Sequence, residues 1–454
     1  MKYEKELTIS ESVDVLVVGG GPAGMAAAVA SARLGKKTTL VEQYGFLGGM
    51  ATSAMVGPYM TSYDRRGKTQ IVRGVFDEFV RLLANENGAI HPSQTAPATP
   101  ESGFHHIGHT NVTPFDSEAI KRLASAYCIQ NGVNLRFHTF FVDARLSDRN
   151  IIVYCADKSG LIAIEASRVI DCTGDGDVAF RLGLPTMQGR DGDGKTQPCT
   201  MFFRIRGVDS KKLEARIRSG YNPNSEKVSC RAFHDLVEQG RETGEFTVPK
   251  GHLTFFKDIP EDEWRINTSR ILDIDATNPE DLTKAEIIGR NQVYEIFQFI
   301  KKHIPGCENI LLVDSGPQVG IRESRRIVGK YILNKEDILS GRDFEDTVAY
   351  YAYPLDLHDP KGTGVVFSDI SKDAYQIPYR CLVSVNLPQL MMAGRCVSCT
   401  HEALAGIRVM PCCFALGEAA GTGAALSLYE GVLPDKLEYG KLREQLLKQN
   451  CYLG

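Results

Sequence analysis

Apolar residues run unbroken from Val15 to Val18, and the chain then breaks into Gly19-Gly20-Gly21-Pro22-Ala23-Gly24. A short apolar run closed by glycines predicts a buried strand. Met25 to Leu34 is rich in alanine and stops at Gly35, which predicts a slim helix with a glycine end. Thr38 to Val41 predicts a second buried strand. Val75, Phe79, Leu82 and Leu83 keep helical spacing over 72–83. Ile120, Leu123, Ala124 and Tyr127 do the same in a helix that starts at Asp116 or Ser117 and stops at Asn131-Gly132. Leu135–Phe141, Ile151–Ala156, Leu161–Ile164 and Val169–Cys172 read as strands, the middle pair joined in a hairpin around Asp157–Gly160. Later, Gln197–Arg206 and Ile310–Val313 read as strands. Residues 281–304 predict a long amphipathic helix, and a small-residue helix begins near Pro411. A polar helix closes the tail from Leu433. Strands alternating with helices around buried apolar strands predict an α/β architecture. Residues 91–115 hold four prolines and four histidines with no period. They read as an ordered loop or cap over a site.

The glycine spacing adds chemistry to this pattern. In Gly19-x-Gly21-x-x-Gly24, the first glycine makes the tight turn. The second lets backbone approach a pyrophosphate, and the third lets helix lie close on strand. Pro22 suits a first helical turn. The helix N-terminus offers unpaired N–H groups to phosphates. The second strand delivers Glu42 about 20 residues beyond the triplet, where an acid bonds ribose hydroxyls. An acid there favours FAD or NAD over NADP. One such fingerprint is present in the chain, and no internal repeat accompanies it.

Beyond Glu42 come Phe46-Leu-Gly-Gly-Met-Ala-Thr52, the turn Thr173-Gly174-Asp175, Gly320-Ile-Arg-Glu-Ser-Arg-Arg-Ile327 and a block from Leu390 through Gly394-Arg395 to Leu426. Together with the glycine triplet, these resemble the FAD-dependent oxidoreductases with a glutathione-reductase-type flavin fold. The closest resemblance is to the bacterial family usually named only FAD-dependent oxidoreductase. The resemblance implies a Rossmann-like FAD-binding domain, over 1–184 and 385–454, with a loop or cap insertion about 53–115. It also implies an inserted α+β substrate domain over 185–384. The implied FAD contacts are Gly19, Gly21, Pro22, Ala23, Gly24, Glu42, Gln43, Gly48, Gly49, Met50, Thr173, Gly174, Asp175, Gly394, Arg395, Arg408, Val409 and Cys412. The small-residue helix is expected to pack on something flat. The expected reaction is hydride transfer between a substrate and flavin N5; the resemblance does not reach the substrate, and the arginines and sister flavoenzymes suggest a small polar one, carboxylate or sugar-like. An electron-transfer subunit or an NADH-using flavin reductase is the alternative.

Several residues are candidates for that chemistry. His401 lies in the loop that must pass the flavin, where a histidine can take a proton near neutral pH. Arginine forks bind carboxylates, which singles out Arg322 and Arg408. On a helix Arg322 and Arg326 would share a face. His105, His106, His109 and His358 are further polar candidates without an assigned role. Cys396-x-x-Cys399 has dithiol spacing, and with His401 it is also a candidate for covalent flavin attachment. No cysteine group has zinc or iron–sulfur spacing, so no metal is expected. The chain has 454 residues, 43% hydrophobic and 24% charged, with net charge −4 and 12 scattered cysteines. These values give no electrostatic case for nucleic acid or an anionic membrane. They suit a reducing cytoplasm, and a homo-oligomer is left open.

Overall fold

A computed structural model describes residues 6–105, 107–219 and 233–454. His106 lies outside the described residues. Strand β1 (Ile9–Val18) has no polar face over its last four residues, so both sides must be covered. It lies at the middle of a seven-stranded sheet with β2 (Thr38–Val41), β3 (Asn134–Arg136), β4 (Phe140–Ser147), β5 (Asn150–Asp157) and β6 (Gly160–Asp171), in the order β3-β2-β1-β6-β5-β4. β3, β2, β1 and β6 run parallel, and β4 and β5 add an antiparallel meander. The two apolar runs 161–164 and 169–172, read as separate strands, are one continuous strand. The first half of β6 pairs with β5 and both halves pair with β1. Helices α1 (Pro22–Arg33), α2 (Val75–Asn85) and α3 (Ser117–Gln130) contribute buried residues to the core around this sheet. Asp116 caps α3 by accepting the Glu118 N–H.

After α4 (Asp177–Arg181), the chain leaves this sheet. β7 (Thr186–Gln188) is followed by a four-stranded antiparallel sheet of β8 (Phe203–Arg206), β9 (Phe255–Lys257), β10 (Glu263–Ile266) and β11 (Leu311–Ser315), in the order β11-β8-β10-β9. α5 (Ser210–Ser219), α6 (His234–Glu242) and the long α7 (Pro279–His303) complete that core. Phe203, Ile205, Trp264 and Ile266 pack with Val293, Ile296 and Ile300 of α7. From the sheet's other face, Arg265 donates to the carbonyls of Met55 and Phe115 at 3.2 and 3.0 Å and pairs with buried Asp258 at 2.9 Å. It ties this sheet to the loops beside β1. The strand expected over Gln197–Arg206 is regular only from Phe203. Residues 199 and 200 make isolated bridges to Ile271 and Gly320.

β12 (Arg325–Ile327) pairs with β7, and this corrects the helical reading of the arginine cluster. Gly320 exchanges backbone hydrogen bonds with Thr200 at 2.6 and 3.0 Å, so the segment is extended. Arg322 and Arg326 therefore share no helix face. After α8 (Lys335–Ser340) come two antiparallel pairs, one inside the other in sequence. β13 (Thr347–Tyr351) pairs with β16 (Tyr375–Pro378), and β14 (Leu355–His358) with β15 (Val365–Ser368). The chain then returns to the first sheet as β17 (Leu390–Met392), parallel to the second half of β6. α9 (His401–Ile407), α10 (Met410–Tyr429) and α11 (Tyr439–Lys448) follow. α10 packs closely on another helix. A methyl at Gly417 would strike the Ala23 carbonyl, and one at Gly421 the Ala27 carbonyl, so α10 meets α1 backbone to backbone. No single described helix is long and apolar enough to cross a membrane.

Candidate functional site

One cavity of about 1280 Å³ runs between the two sheets. It exceeds the roughly 300–1,000 Å³ usual for one small ligand, so it has room for two in contact. At its first end the walls are mostly backbone. β1 ends at Gly19, whose φ of +103° only glycine adopts without strain. A methyl at Gly24 would collide with the Gly19 carbonyl, which is the tight helix–strand contact the triplet predicts. α1 begins at Gly21 with no side-chain cap. Gly21, Pro22 and Ala23 line the cavity, so the helix presents its free N–H groups and positive end there. Glu42 is buried at the tip of β2. Its Oε2 accepts from Gly20 N–H at 2.6 Å and its Oε1 from Tyr44 N–H at 3.0 Å. Burial pushes its pKa up against those bonds.

Gln43, Gly49, Met50, Thr173, Gly174, Asp175, Gly394, Arg395, Arg408 and Val409 also line the cavity. Arg395 pairs with Asp175 at 3.0 Å. Three residues expected as contacts lie off the wall. Gly24 sits under it. Gly48 is turned away, with Thr52 and Ile120 where its Cβ would point. Cys412 faces the core beside Tyr351 and Tyr375, and its neighbour Cys413 lines the cavity instead. One residue of helical phase separates the two cysteines' faces.

At the far end the walls are charged side chains and rings. Arg322 is buried and donates to Pro198 O at 2.7 Å. It makes no ion pair among the described residues. Burial first, then the nearby Arg408 charge, lowers its pKa to about 9. Arg408 donates to Gln197 Oε1 at 3.3 Å and to Asp356 O at 3.2 Å, and its charge lies 3.7 Å from Asp356 Oδ2. Its Nε is buried without a partner. Asp356 Oδ2 also faces His358 Nε2 at 3.2 Å, and Tyr353 OH donates to it at 3.5 Å. Burial raises the Asp356 carboxyl, but His358, Arg408 and Arg322 outweigh that and hold it well below the carboxylate range. Burial brings His358 down to about 3, only partly offset by Asp356. Its Nδ1 faces Arg270 at 3.3 Å. An arginine only donates, so that nitrogen carries the lone pair and Nε2 the hydrogen.

His105, His109, His252, Lys250 and Phe256 complete this end. Burial lowers all three histidines, His252 to about 3. His109 Nδ1 lies 2.9 Å from the Ser102 carbonyl. A carbonyl only accepts, so His109 keeps its lone pair on Nε2.

His401 is not on the cavity wall, which removes it from the chemistry expected of it. It opens α9, 3% exposed, with Nδ1 2.8 Å from Glu323 Oε2. Glu323 also pairs with Arg326, and Arg326 donates to the carbonyls of Cys399 and Gly189. This buried triad stitches three loops together. Cys396 and Cys399 are fully buried, off the wall, with thiols pushed up by burial. They are placed neither for electron exchange nor for attachment. Every described cysteine is free, and no group of three His, Cys, Asp or Glu among the described residues could hold a metal. Gln197, Lys250, His252, Tyr353 and Asp356 were not singled out beforehand as site residues. The one local signal was in β14, where Asp356 and His358 are two apart and so share a strand face.

The sequence profile of a family described as FAD dependent oxidoreductase matches residues 14–446. Among curated proteins, a 40-residue stretch is 55% identical to leghemoglobin reductase of Glycine max, covering 9% of this chain and 8% of that protein. A 40-residue stretch is 52% identical to mitochondrial dihydrolipoyl dehydrogenase of Pisum sativum, with the same coverage. The match therefore spans under a tenth of either relative. Among solved structures, a geranylgeranyl bacteriochlorophyll reductase-like protein from Thermoplasma acidophilum superposes with a TM-score of 0.46 at 14% identity, over 97% of this chain and 84% of that one. The p-nitrophenol 4-monooxygenase of Pseudomonas putida DLL-E4 gives 0.47 at 11%, over 97% and 87%.

Proposed function

The chain belongs to the FAD dependent oxidoreductase family, and from that premise we propose that this FAD enzyme exchanges a hydride with a small substrate bearing a carboxylate. The backbone-lined end of the cavity fits the cofactor. Unpaired N–H groups at the α1 N-terminus suit a pyrophosphate, and buried Glu42 suits ribose hydroxyls. Gly21 and Gly49 lie against each other, where any side chain on Gly49 would strike Gly21 Cα. FAD, when bound, supplies the two-electron acceptor or donor.

The observation that carries the substrate reading is Arg322. It is a desolvated guanidinium on the cavity wall, bonded to one carbonyl and to no carboxylate. Such a group calls for an anion, and a fork geometry favours a carboxylate. Arg408 stands near enough to lower the Arg322 pKa, and Asp356 offsets the two charges only in part, so the pair favour a further anion. His109, on the same cavity wall, keeps a lone pair on Nε2 and takes the substrate's proton in the oxidative direction. His358 is spent on Asp356 and Arg270. It orients Asp356 rather than moving a proton itself.

The test is anaerobic mixing of purified holoenzyme with a panel of hydroxy and amino acids beside their methyl esters, read as loss of flavin absorbance. Acids that bleach the flavin while their esters do not support the proposal. Bleaching by esters and acids alike, or by NADH alone, overturns it.

A further inference from the structure

Beside the two arginines, the cavity carries a row of rings. β9 alternates as a strand must. Phe255 enters the second sheet's core against Trp264, and Phe256 turns into the cavity. His109 lies near-parallel to Phe256, 5.9 Å between centroids and 19° between planes. It is also near-parallel to Tyr353, at 6.2 Å and 29°. His105 adds a fourth ring, 4.3 Å from His109. All four line the cavity. The row has few polar groups left to offer. His109 spends its Nδ1–H on Ser102 O, and Tyr353 turns its hydroxyl on Asp356. Both histidines are held neutral by burial, so the row presents ring surface without charge. Tyr353 joins the row to the arginines, because Asp356 beside it pairs with Arg408.

Ring pairs attract at centroid distances of about 4.5–7 Å in offset or edge geometries, beyond what their buried area supplies. A flat ligand extends such a row, and a puckered, hydroxylated one does not. We propose that the substrate's carboxylate is carried on a flat, conjugated frame, so that the enzyme takes aryl or α,β-unsaturated carboxylates rather than sugar acids or saturated ones. This rests on the carboxylate reading above and narrows it.

The experiment is equilibrium titration of the oxidised holoenzyme with benzoate, cyclohexanecarboxylate and methyl benzoate, read as perturbation of the flavin spectrum. Benzoate is expected to bind about tenfold tighter than cyclohexanecarboxylate, which has the same charge and a puckered ring. In Phe256→Leu that ratio should shrink toward one. The wild-type ratio alone decides the matter if the variant does not fold. Equal binding of the two acids overturns the flat-frame inference and leaves the carboxylate reading standing. Failure of both acids to bind, or methyl benzoate binding as well as benzoate, overturns the carboxylate reading and this inference with it.

Discussion

At one end of the cavity the walls are main chain. They are the turn from β1 into α1, the turn at Gly49, the turn after β6 and the turn after β17. At the other end they are side chains, with Arg322, Arg408, the β14 pair Asp356 and His358, and the ring row brought in from distant parts of the chain. The first end holds a ligand by where side chains are missing. On the proposed reading, the second holds one by unbalanced charge in a desolvated place. The difference teaches how each end should fail. Adding atoms to the first end destroys the cradle. Removing a charge from the second spares the cradle and loses the substrate.

The largest effect is expected at the first end. In Gly24→Ala the new methyl runs into the Gly19 carbonyl, a backbone group that cannot swing aside. We expect protein that holds no flavin or does not fold, measured as the FAD-to-protein ratio and by circular dichroism. A flavin-replete Gly24→Ala would break the account of this end. Next, Glu42→Gln replaces one of two carboxylate acceptors with an amide donor facing the Gly20 and Tyr44 N–H groups. FAD affinity should fall by about tenfold, measured by flavin release on dilution, with substrate KM unchanged.

The second end carries a pH signature. His252 and His358 have pKa values near 3 when folded, against 6.5 for a free histidine. The unfolded chain therefore takes up protons that the folded chain refuses. This part of the stability is complete above about pH 6.5 and falls as pH drops toward 3. Each histidine contributes about 1.4 kcal/mol per pH unit inside that window. The Tm should fall between pH 7.5 and 5, and His252→Asn should shrink the fall. An unchanged slope in the variant would contradict the buried, neutral state. The smallest effect is expected at His401, off the wall. His401→Asn should change kcat/KM by no more than about threefold at 25 °C, because what is lost is the hydrogen bond to Glu323, off the cavity wall. A hundredfold loss would return that histidine to the chemistry.

The same contrast decides what was legible in the sequence. Strand, glycine triplet, slim helix and acid lie within residues 13–42, and each signal is local, so the cofactor end could be read almost residue by residue. The errors there are errors of phase. Cys412 and Cys413 differ by one step around α10, and only the packing of Gly417 and Gly421 on α1 sets which one faces the cavity. The continuous β6 was hidden because Glu165, Ser167 and Arg168 interrupt its apolar pattern. Arg168 is buried all the same, because it bonds Ser427 and the Val432 carbonyl. At the substrate end, spacing misled. Arg322 and Arg326 suggested a helix, whereas cross-chain pairing of Gly320 with Thr200 keeps the segment extended. Arg322 was singled out by its chemistry, and it lies on the cavity wall. Tyr353, Asp356 and His252 come together only through contacts far apart in sequence, which no local period records.

The central claim is that the two ends are separable, with a backbone cradle for FAD and an arginine-built seat for a carboxylate. Its most direct test is Arg322→Met, with bound FAD per chain and the Kd for benzoate measured on the same sample. The account predicts full FAD occupancy with benzoate affinity at least about a hundredfold weaker, as for loss of a charge-assisted fork. Benzoate binding unchanged beside full FAD, or FAD lost together with benzoate, would contradict it.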